Sequence, residues 1–342
     1  MRRPILARSV VATAAAALVL AGCGGGAATT SSKDPKTAFS TGIDNLKDTD
    51  VLTVKLKFDT TADKLQGFAK ENGDTFDPAL AKDIATGEIV LETKTLNGKK
   101  LSEIKANESN QTAVRFAFSD NGNTYAEIRS RDDSLYLRAD VKGLLDLFGK
   151  SKTYAEIQAR ASTLPAFVKA FVANEWVSLN LGVLKSLAGQ LGGGAASPNP
   201  AQMQKLFADL KAVIGTDVTV TRVGTDDSGD HLALATQSRK FVTDLLQAAG
   251  GAIPAAGLAL GKFDPTKVPD HTIKVDAWVK DGALAKVSFD LVQFAKPGEA
   301  KPGDSLPLVM TLDRSGDDIS KPDTSTPVDL SQLGSLLGGL GA

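Results

Sequence analysis

The sequence predicts an α+β fold in which helices cover one face of an antiparallel sheet, preceded by a signal peptide. Three observations predict it. Val51 to Thr60 alternates apolar Leu52, Val54, Leu56 and Phe58 with polar Thr53, Lys55, Lys57 and Asp59, the mark of a strand with one buried and one wet face. Asn97-Gly98, Asn121-Gly122 and Asp281-Gly282 each stand between two strand-like runs, where a tight hairpin turn needs positive φ angles. Leucine-bearing helical stretches alternate with these runs and supply the apolar cover that one-sided strands require.

The N-terminal stretch combines Arg2, Arg3 and Arg8 with an apolar run of 11 residues from Val10 to Leu20. That run is too short to cross a bilayer core as a helix, which takes roughly 20 residues. A basic start, a short apolar region and a small residue before a cut are the features of a secretory signal, here residues 1–22. Leu20-Ala21-Gly22-Cys23 resembles the lipobox of bacterial lipoproteins, and the resemblance implies acylation of Cys23 and a lipid-anchored place on the extracytoplasmic face of the cell membrane. The competing reading is an ordinary secreted protein with a leftover cysteine near the cut. Cys23 is the single cysteine, so no intramolecular disulfide supports the fold. With 42% apolar residues in a chain of this length, the core has to do so.

Without residues 1–22 the chain keeps 36 basic against 40 acidic residues, a net charge of −4. That balance gives no polybasic attraction to an anionic membrane and no basic patch for nucleic acid. The lipobox resemblance implies instead that the membrane is a partner through a diacylglyceryl anchor on Cys23.

Gly-Gly-Gly-Ala-Ala-Thr-Thr-Ser-Ser-Lys after Cys23 makes residues 23–33 a flexible tether. Asp34-Pro35 supplies an N-cap and a proline at the first helical position. The helix that follows carries Phe39, Ile43 and Leu46 on one side and ends near Asp48. After the strand at Val51–Thr60 come helices at Ala62–Asn72 and from Asp77-Pro78. Hairpins are expected from Gly87–Leu96 with Lys99–Ala106 and from Ala113–Asp120 with Asn123–Arg131, then a strand at Leu135–Ala139. Val141–Asn174 reads as helix interrupted or restarted at Pro165, and Trp176–Leu181 as strand. Residues 189–200 form a Gly- and Pro-rich loop inside one domain spanning 34–320.

Beyond the loop the sequence predicts a helix at Ala201–Ile214, strands at Asp217–Val223 and Asp230–Ala235, and a helix at Arg239–Ala249. A small apolar stretch, Ile253–Leu260, precedes the hairpin His271–Lys280 with Ala283–Phe294. The last strand is Ser305–Leu312, where Pro307 suggests a sheet edge. Residues 321–342 read as a loosely held tail.

Chemistry-bearing motifs are scarce. His231 and His271 each begin a strand beside an aspartate, read as solvated strand ends, and two histidines lack a third metal ligand. No Gly-x-Ser-x-Gly elbow and no phosphate-cradling loop occurs. Asp226-Asp227-Ser228-Gly229-Asp230 lacks the closing glutamate of a calcium loop and reads as a polar turn. Trp176 and Trp278 read as packing residues, Trp278 opposite Ile273, Val275 and Val279 and so either outside or under a helix. The expectation is a protein without metal, cofactor or catalytic residues, and not an enzyme.

Val275-Asp276-Ala277-Trp278-Val279-Lys280-Asp281-Gly282-Ala283-Leu284-Ala285-Lys286-Val287, with Leu135-Tyr136-Leu137 and Trp176-Val177, resembles LolA-like proteins. These include mycobacterial lipoproteins of the LppX/LprG type, from high-GC Gram-positive bacteria. The match in order spans most of residues 35–320. It implies a curved antiparallel half-barrel, helices packed on its concave face, and an apolar cavity between them for acyl chains. Leu52, Val54, Leu56, Phe58, Val287, Phe289 and Leu291 are then the candidate cavity lining, and a lipid the candidate ligand. A filled core predicts the same alternation, and with it an interaction or sensor module of the cell envelope. If Cys23 carries the anchor, Cys23→Ala loses all label from a metabolic fatty-acid probe; label retained by the variant rejects the anchor.

Overall fold

Asp34 accepts the Thr37 backbone N–H at 2.8 Å, and Pro35 fills the first turn, so α1 (Pro35–Asp44) starts where the cap and proline place it. The Thr37 hydroxyl holds the Asp34 carboxyl below its ordinary range. The structure is a computed structural model and describes residues 34–71, 77–182, 212, 215–252, 266, 270–294, 301, 303–329 and 332. Residues 1–22, Cys23 and the tether, the loop 189–200, nearly all of 201–214, the stretch 253–260 and the end of the tail lie outside these.

Twelve strands form one open, curved sheet in the order β12-β6-β5-β4-β3-β2-β1-β11-β10-β9-β8-β7. They are β1 (Val51–Phe58), β2 (Gly87–Thr95), β3 (Thr112–Asp120), β4 (Asn123–Arg131), β5 (Ser134–Ala139) and β6 (Val177–Asn180). The others are β7 (Thr219–Asp226), β8 (Gly229–Gln237), β9 (Thr272–Lys280), β10 (Ala283–Asp290), β11 (Pro307–Asp313) and β12 (Thr326–Pro327). All neighbours are antiparallel except β12 with β6. The turns explain the meander. Asn121 (φ 47°) with Gly122 (φ 83°), and Asp281 (φ 51°) with Gly282 (φ 73°), take the paired positive angles of a type I′ turn. Asp132 (φ 51°) and Asp133 (φ 56°) do the same between β4 and β5 without glycine.

The remaining helices are α2 (Ala62–Glu71), α3 (Pro78–Thr86), α4 (Val141–Leu147), α5 (Ser151–Ala159), α6 (Ala166–Val172) and α7 (Ser238–Ala252). Asp77 caps α3 as Asp34 caps α1, accepting the Ala79 N–H at 2.8 Å. The helices pack on the concave face of the sheet. Phe39 of α1 and Phe241 of α7 join Leu232, Leu234, Ala277, Leu284, Met310 and Leu312 in the main core. Leu65 and Ala81 bring α2 and α3 onto Phe58 and Leu306. Phe167 and Ala170 bring α6 onto Val177.

Four expectations are corrected. Lys99–Ala106 is no strand: β2 pairs with β3 over its whole length. Gly98 alone has positive φ (71°), so Asn97-Gly98 makes no type I′ turn. The Thr95 hydroxyl donates to Lys99 O at 2.6 Å and the Leu101 N–H to Thr49 O at 2.8 Å, which turns the chain out of the sheet into short 3₁₀ pieces. Pro307 marks no edge, since β11 lies between β1 and β10. It is the first residue of its strand, a place where a missing N–H is tolerated. The strand from Ala283 stops at Asp290 rather than Phe294, because the Asp290 carboxylate accepts the N–H groups of Val292 and Leu306 and draws the chain aside. In the segment expected to be a loose tail, the described part is anchored: Thr326 N–H donates to Trp176 O and Val328 N–H to Ser178 O, both at 2.8 Å.

Leu232 is 0% exposed at the centre of the main core. Leu232→Ala is expected to cost about 2–5 kcal/mol, read as a lower urea midpoint with unchanged slope.

Candidate functional site

Cross-strand register fixes which side chains share a face. Val54 pairs with Leu312, Leu56 with Met310 and Phe58 with Leu308, and Val287 and Phe289 pair with Met310 and Leu308 from the other side. These residues all point to the helix-bearing concave face. The structure packs most of the candidate lining rather than leaving it around a void. Val54 is buried in the main core, with Leu52, Leu56 and Val287 against it. Phe58 and Leu291 pack on the α2–α3 cluster, Leu291 from the 3₁₀ turn after β10. Phe289 is half-buried.

The same concave face continues across β2, β3 and β4, where burial is inverted. Ile89, Phe116, Phe118 and Ile128 are neighbours through the register Ile89↔Phe118 and Phe116↔Ile128. Ile89 and Phe116 are each 38% exposed. On the opposite face of the same strands, Val90, Ala113 and Ala117 are buried with the carboxylates Glu92 and Glu127. Large apolar side chains thus line a partly open trough, while small and charged ones are sealed behind it.

One end of the trough meets a polar cleft of about 740 Å³, lined by Ala79, Asp83, Tyr125, Arg138, Asp140 and Leu147 among others. Tyr125 joins the two, stacking on Phe118 with centroids 5.7 Å apart. Burial pushes the Asp83 carboxyl up, and the adjacent carboxylate of Asp120 adds to the shift. Burial and the charges of Asp120, Asp83 and Asp140 push the Tyr125 hydroxyl up as well. The walls carry more negative than positive charge.

The sealed convex face is built on charge. Glu127, with its side chain 2% exposed, accepts Arg115 Nε at 2.7 Å, Arg129 Nε at 2.9 Å and Arg138 Nη2 at 2.9 Å. Burial opposes its ionisation, but the hydrogen bonds from Arg115 and Arg129 outweigh it and hold the carboxyl below its ordinary range. Arg129 and Arg138 also clasp Trp176, each with its guanidinium carbon 4.8 Å from the ring. Glu92 is treated differently. It faces Arg115 at 3.6 Å, its Oε1 lacks a well-formed hydrogen bond, and burial with the nearby Asp317 charge pushes it up against the pull of Arg115.

This face is closed by the chain itself. After β11 the segment Arg314–Ser325 crosses β1 to β5 and delivers β12 to the far edge at β6. Ile319 of this segment is 0% exposed. The Thr53 hydroxyl donates to Ser315 O at 2.8 Å, Arg131 Nη1 to Ile319 O at 2.6 Å and Arg129 Nη1 to Ser320 O at 3.0 Å. Lys94 pairs with Asp318 at 3.5 Å.

The histidines do not meet. His231 stacks on Trp278 at 4.5 Å and its Nε2 lies 2.8 Å from Asp276 Oδ1, whereas His271 is held by its backbone N–H on the Ser238 hydroxyl. Trp278 lies on the convex face, covered by the side chains of His231 and Lys286 rather than by a helix, and donates to Asp226 Oδ2 at 2.8 Å. That bond holds the Asp226 carboxyl below its ordinary range. Asp226–Asp230 is a tight turn, with the Ser228 N–H on Asp226 Oδ1. Among the described residues no three of His, Cys, Asp and Glu converge as a metal-binding group.

Sequence reasoning missed the trough on β2–β4 and the strapped charge row behind it. The available signal was Glu92, Arg115, Glu127 and Arg129 recurring at alternate positions of adjacent strands. Alternation assigns such residues to water, whereas here the strap covers Glu92 and Arg129, and the arginines enclose Glu127.

No family model matches the chain, and no curated protein sequence matches it. Among solved structures, the Mycobacterium tuberculosis lipoprotein LppX, of the type the sequence resembles, aligns with 83% of this chain and 97% of its own at 11% identity and a TM-score of 0.31. LprF from Mycobacterium bovis aligns with 86% of this chain and 99% of its own at 11% identity and a TM-score of 0.33. At such TM-scores the likeness supports neither membership of a family nor a function.

The two buried glutamates are expected to respond to pH with opposite signs. The folded carboxyl of Glu127 is depressed, so its stabilisation is full above the ordinary glutamate range and is lost as pH falls through the folded value. Glu127→Gln should cost about 3–5 kcal/mol at neutral pH, with the difference closing in acid. The folded carboxyl of Glu92 is raised, so its ionisation is a cost above the folded value that disappears as pH falls through it. Glu92→Gln should gain about 1 kcal/mol at neutral pH and nothing in acid. Urea midpoints across the pH range measure both, and equal responses of the two variants would reject the assignment.

Proposed function

We propose that the chain is a non-enzymatic lipoprotein of the cell envelope, held on the extracytoplasmic face of the membrane by a diacylglyceryl group on Cys23, that binds an acyl chain or similar apolar guest on β2–β4. The inverted burial of those strands carries the reading. Ile89 and Phe116 stay 38% exposed on the helix-bearing face while Glu92 and Glu127 are sealed on the other. Covering such a strip stabilises a complex by about 25 cal/mol per Å² of apolar surface removed from water. The lipobox at Leu20–Cys23 supports the location. No helix among the described residues is long and apolar enough to cross a membrane.

A second reading, an interaction or sensor module with a filled core, is favoured by one observation. Leu52, Val54, Leu56 and Val287 pack into the main core. It accounts for the β7–β11 half of the sheet and leaves the trough unexplained. For the carrier reading, native mass spectrometry of the purified domain should find bound acyl lipid, and cis-parinaric acid should be retained. Phe116→Asp should abolish retention while costing about 1–2 kcal/mol through its lost cross-strand pairs with Leu91 and Ile128, so the variant stays folded. Leu56→Trp, within the packed core, should cost about 1–3 kcal/mol by overpacking. A parent protein with neither bound lipid nor probe retention rejects the carrier and leaves the module.

A further inference from the structure

The Arg314–Ser325 strap lies along a single row of cross-strand neighbours. Asp313 pairs with Thr53, Thr53 with Glu92, Glu92 with Arg115, Arg115 with Arg129, Arg129 with Tyr136, Tyr136 with Ser178, and Ser178 with Pro327. The strap therefore joins the two ends of one row and spans every strand of the trough from behind. It has little slack. Between Ser315, pinned on β1, and Ser320, pinned on β4, five residues reach at most roughly 17 Å, and three strand steps take about 14 Å. The curvature of β1–β4 cannot change much while both pins hold.

The pins are also few and made by side chains. Among the described residues, no backbone-to-backbone hydrogen bond joins 314–325 to the sheet, and the segment is held there by side chains alone; the backbone pairing resumes at Thr326. Arg314 to Asp318 are exposed, and only Ile319 and Pro322 are buried. Beneath Gly316 the strap traps Glu92 Oε1 without a well-formed hydrogen bond, so lifting the strap hydrates a buried carboxylate. A segment with few buried apolar contacts and no backbone pairing to the sheet opens locally before the sheet does.

We infer that the strap is a releasable fastening. Its detachment frees the curvature of β1–β5, and the trough on the opposite face exchanges its guest while the strap is off. The inference rests on the carrier reading above.

The Ser178 and Ser325 hydroxyl oxygens lie 3.1 Å apart, which suits a disulfide lock at the β6 end. The test uses the full chain carrying Cys23→Ala with Ser178→Cys and Ser325→Cys, and follows cis-parinaric acid release by fluorescence. The oxidised form should release probe at least about tenfold more slowly than the reduced form, and reductant should restore the parent rate. Gly316→Val gives the opposite arm. A Cβ at Gly316 meets Glu92 Oε1, and also Thr53 Oγ1 and Val51 Cγ2 at 2.8 Å, so the variant wedges the strap off and should speed release. Equal rates in oxidised and reduced forms, or a change in one variant without the opposite change in the other, overturn the fastening and leave the carrier standing. A parent that takes up no probe rejects the carrier and the fastening with it.

Discussion

Glu127 is the carboxylate on which the open half of the sheet depends. It gathers Arg115 from β3, Arg129 from its own strand and Arg138 from β5, so one buried charge ties three adjacent strands on the convex face. Its effect does not end there. Arg129 carries the Ser320 carbonyl of the strap on another of its nitrogens and, with Arg138, clasps Trp176 at the entry to β6. A neutral residue at Glu127 would leave guanidinium groups buried without a counter-charge, the costly way to break such a network. By packing the convex side with charge and small residues, the chain keeps its large apolar side chains on β2–β4 for the other side.

The sheet is thus one surface with two uses. From β7 to β11 and on to β1, the concave face is a filled core in which Phe39, Phe241, Leu232, Leu284 and Met310 pack around one another. From β2 to β4 the helices leave Ile89 and Phe116 half in water. The filled part supplies stability without help from any disulfide, which a domain of this size can achieve by burial alone. The open part is then available to bind without carrying the fold. The strap links them, since it leaves β11 in the filled half and ends on β6 beyond the open one.

Local chemistry was legible wherever the cause was local. Asp34-Pro35 and Asp77-Pro78 start helices because a carboxylate and a proline satisfy the first turn, whatever lies around them. Asn121-Gly122 and Asp281-Gly282 turn as expected because flanking strands of matched length were there to pair. Asn97-Gly98 shows the limit. The dipeptide permits the turn, but Thr49 captured the Leu101 N–H and β3 offered β2 a full-length partner. Pro307 failed as an edge signal for a related reason, since a proline at the first position of a strand costs no ladder bond.

By itself the sequence determined the class of the fold, the inward face of β1 and the hairpins at Asn121-Gly122 and Asp281-Gly282, because alternation, caps and turns act over a few residues. Tertiary structure alone decided the strand order, the place of β11 in mid-sheet, and which half of the concave face is filled. It also decided the fate of Glu92 and Glu127. Alternation assigns each to the wet face; Glu92 is buried beneath Gly316 of the segment that returns from β11 to β6, and Glu127 is buried among Arg115, Arg129 and Arg138. A contact between Arg129 and Ser320 spans 191 positions of the chain, and no periodicity of a few residues can carry that distance.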